Sequence, residues 1–185
     1  SARLQDLRSI REIKRLQHVW GHHAEAGRWA DMAALFTASG SWTDGSRTVE
    51  GPAAIRDFLR TSMGSGNEPL TPTQLNLRMS MGSGNASLAP TQLNLRLFLT
   101  PVITLADDGR SARGRWHEVA MTGETGKSVD WAGGIHVIDY VREGSAWKIA
   151  RMHYHPQYAG PYAEGWRSVA PLVGKVAYHY TPDQA

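Results

Sequence analysis

Near residue 90 the hydrophobic period of this 185-residue chain changes from three-to-four to two. Before that point Leu4, Leu7, Ile10, Ile13, Leu16 and Trp20 recur three and four apart, the stripe of an amphipathic helix. The spacing predicts a first helix to about Ala26, ended by Gly27. A second, short helix follows with Trp29, Met32, Ala33, Leu35 and Phe36 inward. A third opens at Gly51-Pro52, where proline suits a first turn, and carries Ile55, Phe58 and Leu59. Beyond residue 90, Leu93, Leu95, Leu97 and Leu99 alternate with Gln92, Asn94, Arg96 and Phe98 before Pro101, which predicts a long strand with a bulge. Turns at Ala106–Gly109, Gly123–Gly126 and REGSA separate further strands at Ser111–Thr122, Ser128–Arg142 and Trp147–His155, hairpins throughout. Helices first and strands after predict one α+β domain over residues 1–185. Three N-terminal helices cover one face of a curved antiparallel sheet, with a pocket between the two layers.

One segment interrupts this order. Ser62–Arg78 (SMGSGNEPLTPTQLNLR) recurs as Ser80–Arg96 (SMGSGNASLAPTQLNLR), eighteen residues on and with three differences. The even offset lets either copy of PTQLNLR present the same alternate side chains to one sheet face. The readings are a tandem duplication with one copy looped out, one loop counted twice, or a mobile Gly-Ser-rich pocket lid. Two copies with no further repetition do not make a solenoid.

Composition excludes several function classes. With no cysteine, a disulfide framework, a zinc ribbon, a thiol nucleophile and an iron–sulfur site are all ruled out. A net charge of +3 without a run of like charges argues against nucleic acid or a membrane as partner. The start of the chain is amphipathic rather than an apolar signal core, and no window of eighteen apolar residues occurs, so the expected location is cytoplasmic, with export to the periplasm the alternative. GSGN lacks the spacing of a phosphate-binding loop, which argues against nucleotides. The chain is nonetheless rich in His (8) and Trp (7).

Those residues gather in short constellations. Trp20-Gly21-His22-His23-Ala24-Glu25 ends the first helix, where 22 and 25 share a face, as do 20, 23 and 24; one histidine faces the sheet and the other Glu25. The HxxE spacing is not a zinc motif, and no metal is expected. In Ser41-Trp42-Thr43-Asp44, Trp42 and Asp44 share a strand face. In Gly114–Glu118, Arg115 and His117 share one face and Trp116 and Glu118 the other. His136 and Tyr140 share a face opposite Asp139, and Arg151, His153 and His155 form a row on the last strand. Three neighbouring strands thus each offer a histidine with an Arg or Tyr partner, a set suited to proton transfer on a hydroxylated aromatic small molecule near neutral pH. Each group also has a plain structural reading, as core aromatic, helix cap or solvated strand face. The segment after His155, with Tyr158, Tyr162, Trp166, Tyr178 and Tyr180, holds too many aromatics for a disordered end.

The stretches HHAEAGRWADMAALFTASGSWTDGSRTVEGPAAIRDFL and GGIHVIDYVREGSAWKIARMHYH resemble the SnoaL-like branch of the nuclear-transport-factor-2-like superfamily, from about Arg11 to His155. The resemblance implies a cone-shaped α+β barrel with a deep pocket, assembled as a homodimer or homotrimer; the family holds dehydratases, cyclases, isomerases, hydrolases and non-enzymes. Trp20 and Glu25 are similar to positions of scytalone dehydratase-like members. The strand start of those members, TQH, is here Thr91-Gln92-Leu93 (and Thr73-Gln74-Leu75), without the histidine. TPVITLADDGRSARGRWHE and YHPQYAGPYAEGW look more like a sphingomonad group that includes cofactor-independent lyases, which release formaldehyde from lignin-derived diarylpropanes and phenylcoumarans to leave a stilbene. On that resemblance the expected activity is loss of water and formaldehyde from a diarylpropane diol, without cofactor or metal. Arg115 or Tyr140 would hold a phenolic oxygen, His117 or His153 act as acid, and Asp44 or Glu25 with His22 as base. His136 completes the catalytic set, Trp20, Trp42 and Tyr158 would sandwich the rings, and Asn94 is a further substrate-binding residue. The alternatives are a dehydratase or isomerase of another aromatic or polyketide-like substrate, and a non-catalytic carrier. Intact mass checks the repeat: both copies are expected in the purified chain, and a molecule lighter by one repeat unit overturns a genuine duplication.

Overall fold

The computed structural model describes residues 2–63 and 91–171. Most of the repeated segment and the end of the aromatic tail, with Tyr178 and Tyr180, lie outside the described residues. Three α-helices are described: α1 (Ala2–Glu25), α2 (Trp29–Ala33) and α3 (Pro52–Ser62). The strands are β1 (Phe36–Asp44), β2 (Arg47–Glu50), β3 (Gln92–Leu105), β4 (Ser111–Glu124), β5 (Ser128–Glu143), β6 (Ala146–Pro161) and the two-residue β7 (Ala170–Pro171); a 3-10 helix spans Tyr162–Ser168. No described helix is long and apolar enough to cross a membrane.

The helices form as their spacing predicts, with one difference at each of two ends. Gly27, at φ 67°, takes the left-handed conformation that ends α1. Ile13, Leu16, Trp20 and Ala24 are buried along its inner face, whereas Leu4 and Leu7 are exposed. Phe36, expected at the end of the second helix, opens β1 instead and remains buried. β2, too short to leave a period in the sequence, pairs with β1 through Ser41–Asp44 and Arg47–Glu50.

The strand order is β2-β1-β6-β5-β4-β3, with β7 attached to β6. β3 to β6 pair antiparallel, but β1 lies parallel to β6, so the sheet is mixed rather than wholly antiparallel. It is one curved sheet that does not close into a barrel: β2 and β3 stand at its two ends. The expected bulge in β3 falls between Leu99 and Val102, where Thr100 has φ 45°.

Between the helices and the sheet lies a core of Trp29, Met32, Phe36, Trp42, Ile55, Phe58, Leu59, Ile138, Ile149 and Met152. A buried relay crosses it: Trp116 Nε1 donates to the Tyr140 hydroxyl at 3.0 Å, and that hydroxyl donates to Gln17 Oε1 of α1 at 3.0 Å. The polarity of β3 is inverted relative to an ordinary covered strand. Asn94, Arg96 and Phe98 turn toward the helices, while Leu93, Leu97 and Leu99 are 38–45% exposed on the outer face. Truncating Ile138, fully buried on a central strand, to alanine is expected to cost about 2–5 kcal/mol. Urea unfolding with an unchanged m-value and a lowered midpoint checks it.

Candidate active site

Strand register decides which candidates meet. Trp116 on β4 stands opposite His136 on β5, and His136 opposite Tyr154 on β6. Asp44 on β1 then stands beside Tyr154, and Trp42 beside Met152. Glu118, one pleat along from Trp116, faces Phe98 of β3 and Gly134 of β5. All of these side chains share the helix-covered face. Gly134 matters here, because a Cβ at that position would lie 2.4 Å from the Tyr154 ring; its absence lets that ring lie against His136, at 4.6 Å between centroids.

A buried ion pair organises the cluster. Arg96 Nη1 donates to Glu118 Oε1 at 2.6 Å, and His136 Nε2 lies 2.8 Å from Glu118 Oε2. Arg96 Nε donates to Asn94 Oδ1 at 3.0 Å, and Asn94 Nδ2 donates at 2.9 Å to the Ala24 carbonyl near the end of α1, which also accepts from the Gly27 N–H. Glu118 and His136 are 2% and 1% exposed. Burial alone would raise the Glu118 pKa, but the charges and hydrogen bonds of Arg96 and His136 outweigh it and hold the carboxyl down at about 2. An ionised carboxylate only accepts, so Nε2 of His136 carries a proton; in the neutral imidazole the lone pair then sits on Nδ1, which is buried and without a hydrogen bond.

The surroundings are aromatic and largely buried, with Asp44 and Tyr154 partly exposed. Phe98 and Trp20 pack against the His136 ring at 5.2 and 6.0 Å, and Trp42 packs on Trp20 at 5.3 Å. Asp44 is half-buried, and that burial raises its pKa against the opposing pull of His136. Burial likewise raises the Tyr154 phenol, which stays protonated. Beside the cluster, His18, Gly21, His22, Glu25, Arg96, Leu97, Phe98 and Leu99 line a groove of about 190 Å³ between α1 and β3.

The sequence candidates therefore divide. Trp20, Trp42, Asp44, Asn94 and His136 come together on the covered face, and His22 and Glu25, 3.6 Å apart, line the adjoining groove. Arg115, His117 and His153 are not brought to it: the alternation of β4 and β6 turns them to the outer face, where His117 bonds Thr100 at 2.8 Å and the His153 ring stacks on His155 at 3.9 Å. Tyr140 lies on the covered face, but its hydroxyl is enclosed in the relay to Trp116 and Gln17, where it is not available to a substrate. Beyond the irregularity between Gly133 and Gly134, Tyr158 joins Trp131 and Trp166 in a separate aromatic cluster at 5.5–5.6 Å. Asp139 is bound by Arg113 and Arg151 on the outer face. Glu118, Arg96 and Tyr154 join the cluster although the sequence pattern alone does not mark them; the one signal for Glu118 is the strand face it shares with Trp116, the larger apolar residue and hence the better marker of the inside.

A helix layer over a curved open sheet, with a polar cluster on the covered face, defines a cone-like α+β domain. The pattern of the SnoaL-like domain matches residues 5–153, and the chain belongs to that family. Solved structures agree with it in fold. A scytalone dehydratase-like protein of Novosphingobium aromaticivorans superposes with a TM-score of 0.65 at 14% identity, covering 84% of this chain and 89% of its own. The hexachlorocyclohexane dehydrochlorinase LinA-type3 of Novosphingobium barchaimii gives 0.63 at 13% identity, over 85% and 92%. ActVI-ORFA of Streptomyces coelicolor gives 0.58 at 14% identity, over 80% and 96%. No curated protein matches the chain in sequence.

Replacing Glu118 by glutamine leaves Arg96 buried without its counter-charge and is expected to cost about 3–5 kcal/mol. A depressed carboxyl stabilises the fold fully above its unfolded value, 4.5, and loses that contribution as pH falls toward 2. Stability of the parent chain should thus drop across that window more steeply than that of E118Q, as read by urea unfolding at successive pH values.

Proposed function

We propose that this protein is a cofactor-independent lyase that eliminates water and formaldehyde from a diarylpropane diol by general acid–base catalysis, leaving a stilbene. The observation that carries the reading is His136, fixed by Glu118 with Nδ1 as the ring atom left without a hydrogen bond, on the same face as Asp44, whose carboxyl burial shifts upward. Asp44 gives a proton to the benzylic hydroxyl, which leaves as water. His136 Nδ1 takes the proton of the terminal hydroxyl; the oxygen's electron pair closes the formaldehyde carbonyl, and the pair of the breaking carbon–carbon bond becomes the new double bond. Transfer of the proton from His136 back to Asp44 restores both groups. Phe98, which lines the groove, offers a ring edge to an aromatic substrate with Trp20 and Trp42 buried behind it, and the Tyr154 hydroxyl offers a donor to a phenolic oxygen.

The solved structures of like fold include proteins named for dehydration and dehydrochlorination, both eliminations, which supports the reaction class. The exposed row of Leu93, Leu97 and Leu99 supports self-association through the outer face, the homodimer or homotrimer expected from the family; light scattering on the eluting protein measures it. The activity test is incubation with a diguaiacylpropane diol, following stilbene absorbance and released formaldehyde. Both products are expected in equal amounts, and H136Q and D44N are each expected to lower kcat by about 10²–10⁴-fold while the fold is kept. Water loss without formaldehyde would assign a dehydratase instead, and binding without turnover a carrier.

A further inference from the structure

The charges around the cluster bear on which aromatic molecules it accepts, a question that rests on the reading of this face as a binding site. Arg96 is the cation that reaches both the groove and the buried cluster, yet its guanidinium is already engaged: Nη1 with Glu118 at 2.6 Å and Nε with Asn94 at 3.0 Å. Its side chain is 12% exposed and that of Glu118 1%, so the pair shares a poorly solvated setting in which the carboxylate cancels the guanidinium at close range. Glu25 on the groove wall is left with His22 3.6 Å away, and that side chain is 77% exposed. Among the described residues the lining of the groove therefore offers an incoming anion no uncompensated Arg or Lys and one carboxylate, Glu25, to repel it.

We infer that the site is an electrostatic filter that admits uncharged hydroxylated aromatics and rejects their carboxylated counterparts, with Glu118 as the residue that sets the choice by occupying Arg96. Shape would not separate an aryl alcohol or phenol from the acid of equal size; the charge balance does. Removing the negative charge of Glu118 frees a buried guanidinium, whose geometry suits a carboxylate, and so converts a rejecting site into an accepting one.

The test compares two rigid ligands of one shape, 4,4′-dihydroxystilbene and 4′-hydroxystilbene-4-carboxylate, at neutral pH. Binding is read from quenching of the tryptophan fluorescence and confirmed by calorimetry. The carboxylate is expected to bind the parent protein about tenfold or more weakly than the diphenol at low salt. Raising the ionic strength from about 0.05 to about 0.5 M should narrow that gap by strengthening carboxylate binding alone. E118Q should bind the carboxylate at least as tightly as the diphenol. Because E118Q loses a buried counter-charge, E25Q serves beside it: Glu25 is half-exposed, and its neutralisation should narrow the gap without loss of fold. Equal binding of the two ligands by the parent protein, or a preference unmoved by salt and by E25Q, overturns the filter and leaves the catalytic reading standing. Failure of both ligands to bind overturns the binding site itself, and the filter with it.

Discussion

A carboxylate buried in the middle of a sheet is the constraint from which the interior of this protein follows. Glu118 sits on β4 with strands on both sides, and an unpaired charge there would cost far more than a marginally stable fold can bear. Each neighbouring strand answers it: β3 with Arg96 and β5 with His136. Arg96 is steadied by Asn94, and Asn94 in turn donates to a carbonyl near the end of α1. A single chain of hydrogen bonds thus runs from the helix end through the ion pair to the imidazole. The placement of α1 over the sheet and the orientation of His136 are parts of one network.

This network explains the inverted polarity of β3. A strand whose alternate residues are Asn94, Arg96 and Phe98 on one side and leucines on the other would ordinarily place the leucines in the core. The partners Glu118 requires can reach it only from the covered face, so the polar residues turn inward and the leucines are left outside. The arrangement gives up apolar burial on β3, and the aromatic core of Trp20, Trp42, Trp116 and Phe58 supplies burial elsewhere. The exposed leucines are a by-product of building a charged site on an edge strand, and they leave an apolar outer face on the isolated chain.

Much of the fold was legible in the sequence because periodicity reports element type directly. The stripe through Ile13, Leu16 and Trp20, the Gly27 stop, the Gly51-Pro52 start and the hairpin turns each correspond to an observed element. What periodicity does not carry is partner choice. The parallel pairing of β1 with β6 and the open edges of the sheet depend on contacts far apart in the chain. The site was half legible for a related reason: alternation says which residues share a face, but not which face is covered. Arg115 with His117, and Trp116 with Glu118, are equivalent by period; the Trp116 indole marks the second pair as interior. On β6 the histidine row drew attention from Tyr154, and on β3 the four leucines did the same for Arg96.

The two carboxyls of the covered face show how one fold prepares opposite proton-transfer roles. Both are withdrawn from water, and burial pushes each upward. Glu118 is met by a guanidinium and an imidazole at hydrogen-bond distance, and these reverse the effect of burial, so it stays ionised and can only orient His136. Asp44, on the strand next to Tyr154, has no such partner at hydrogen-bond distance among the described residues and feels Glu118 as a like charge, which adds to burial. The same chemical group is thereby held ionised in one place and shifted toward its protonated form in the other. On the proposed reading the acid and the base need no metal or cofactor to tell them apart. Whether Arg96 lies beside it separates the two carboxyls: Glu118 is left to orient the base His136, and Asp44 to serve as the acid.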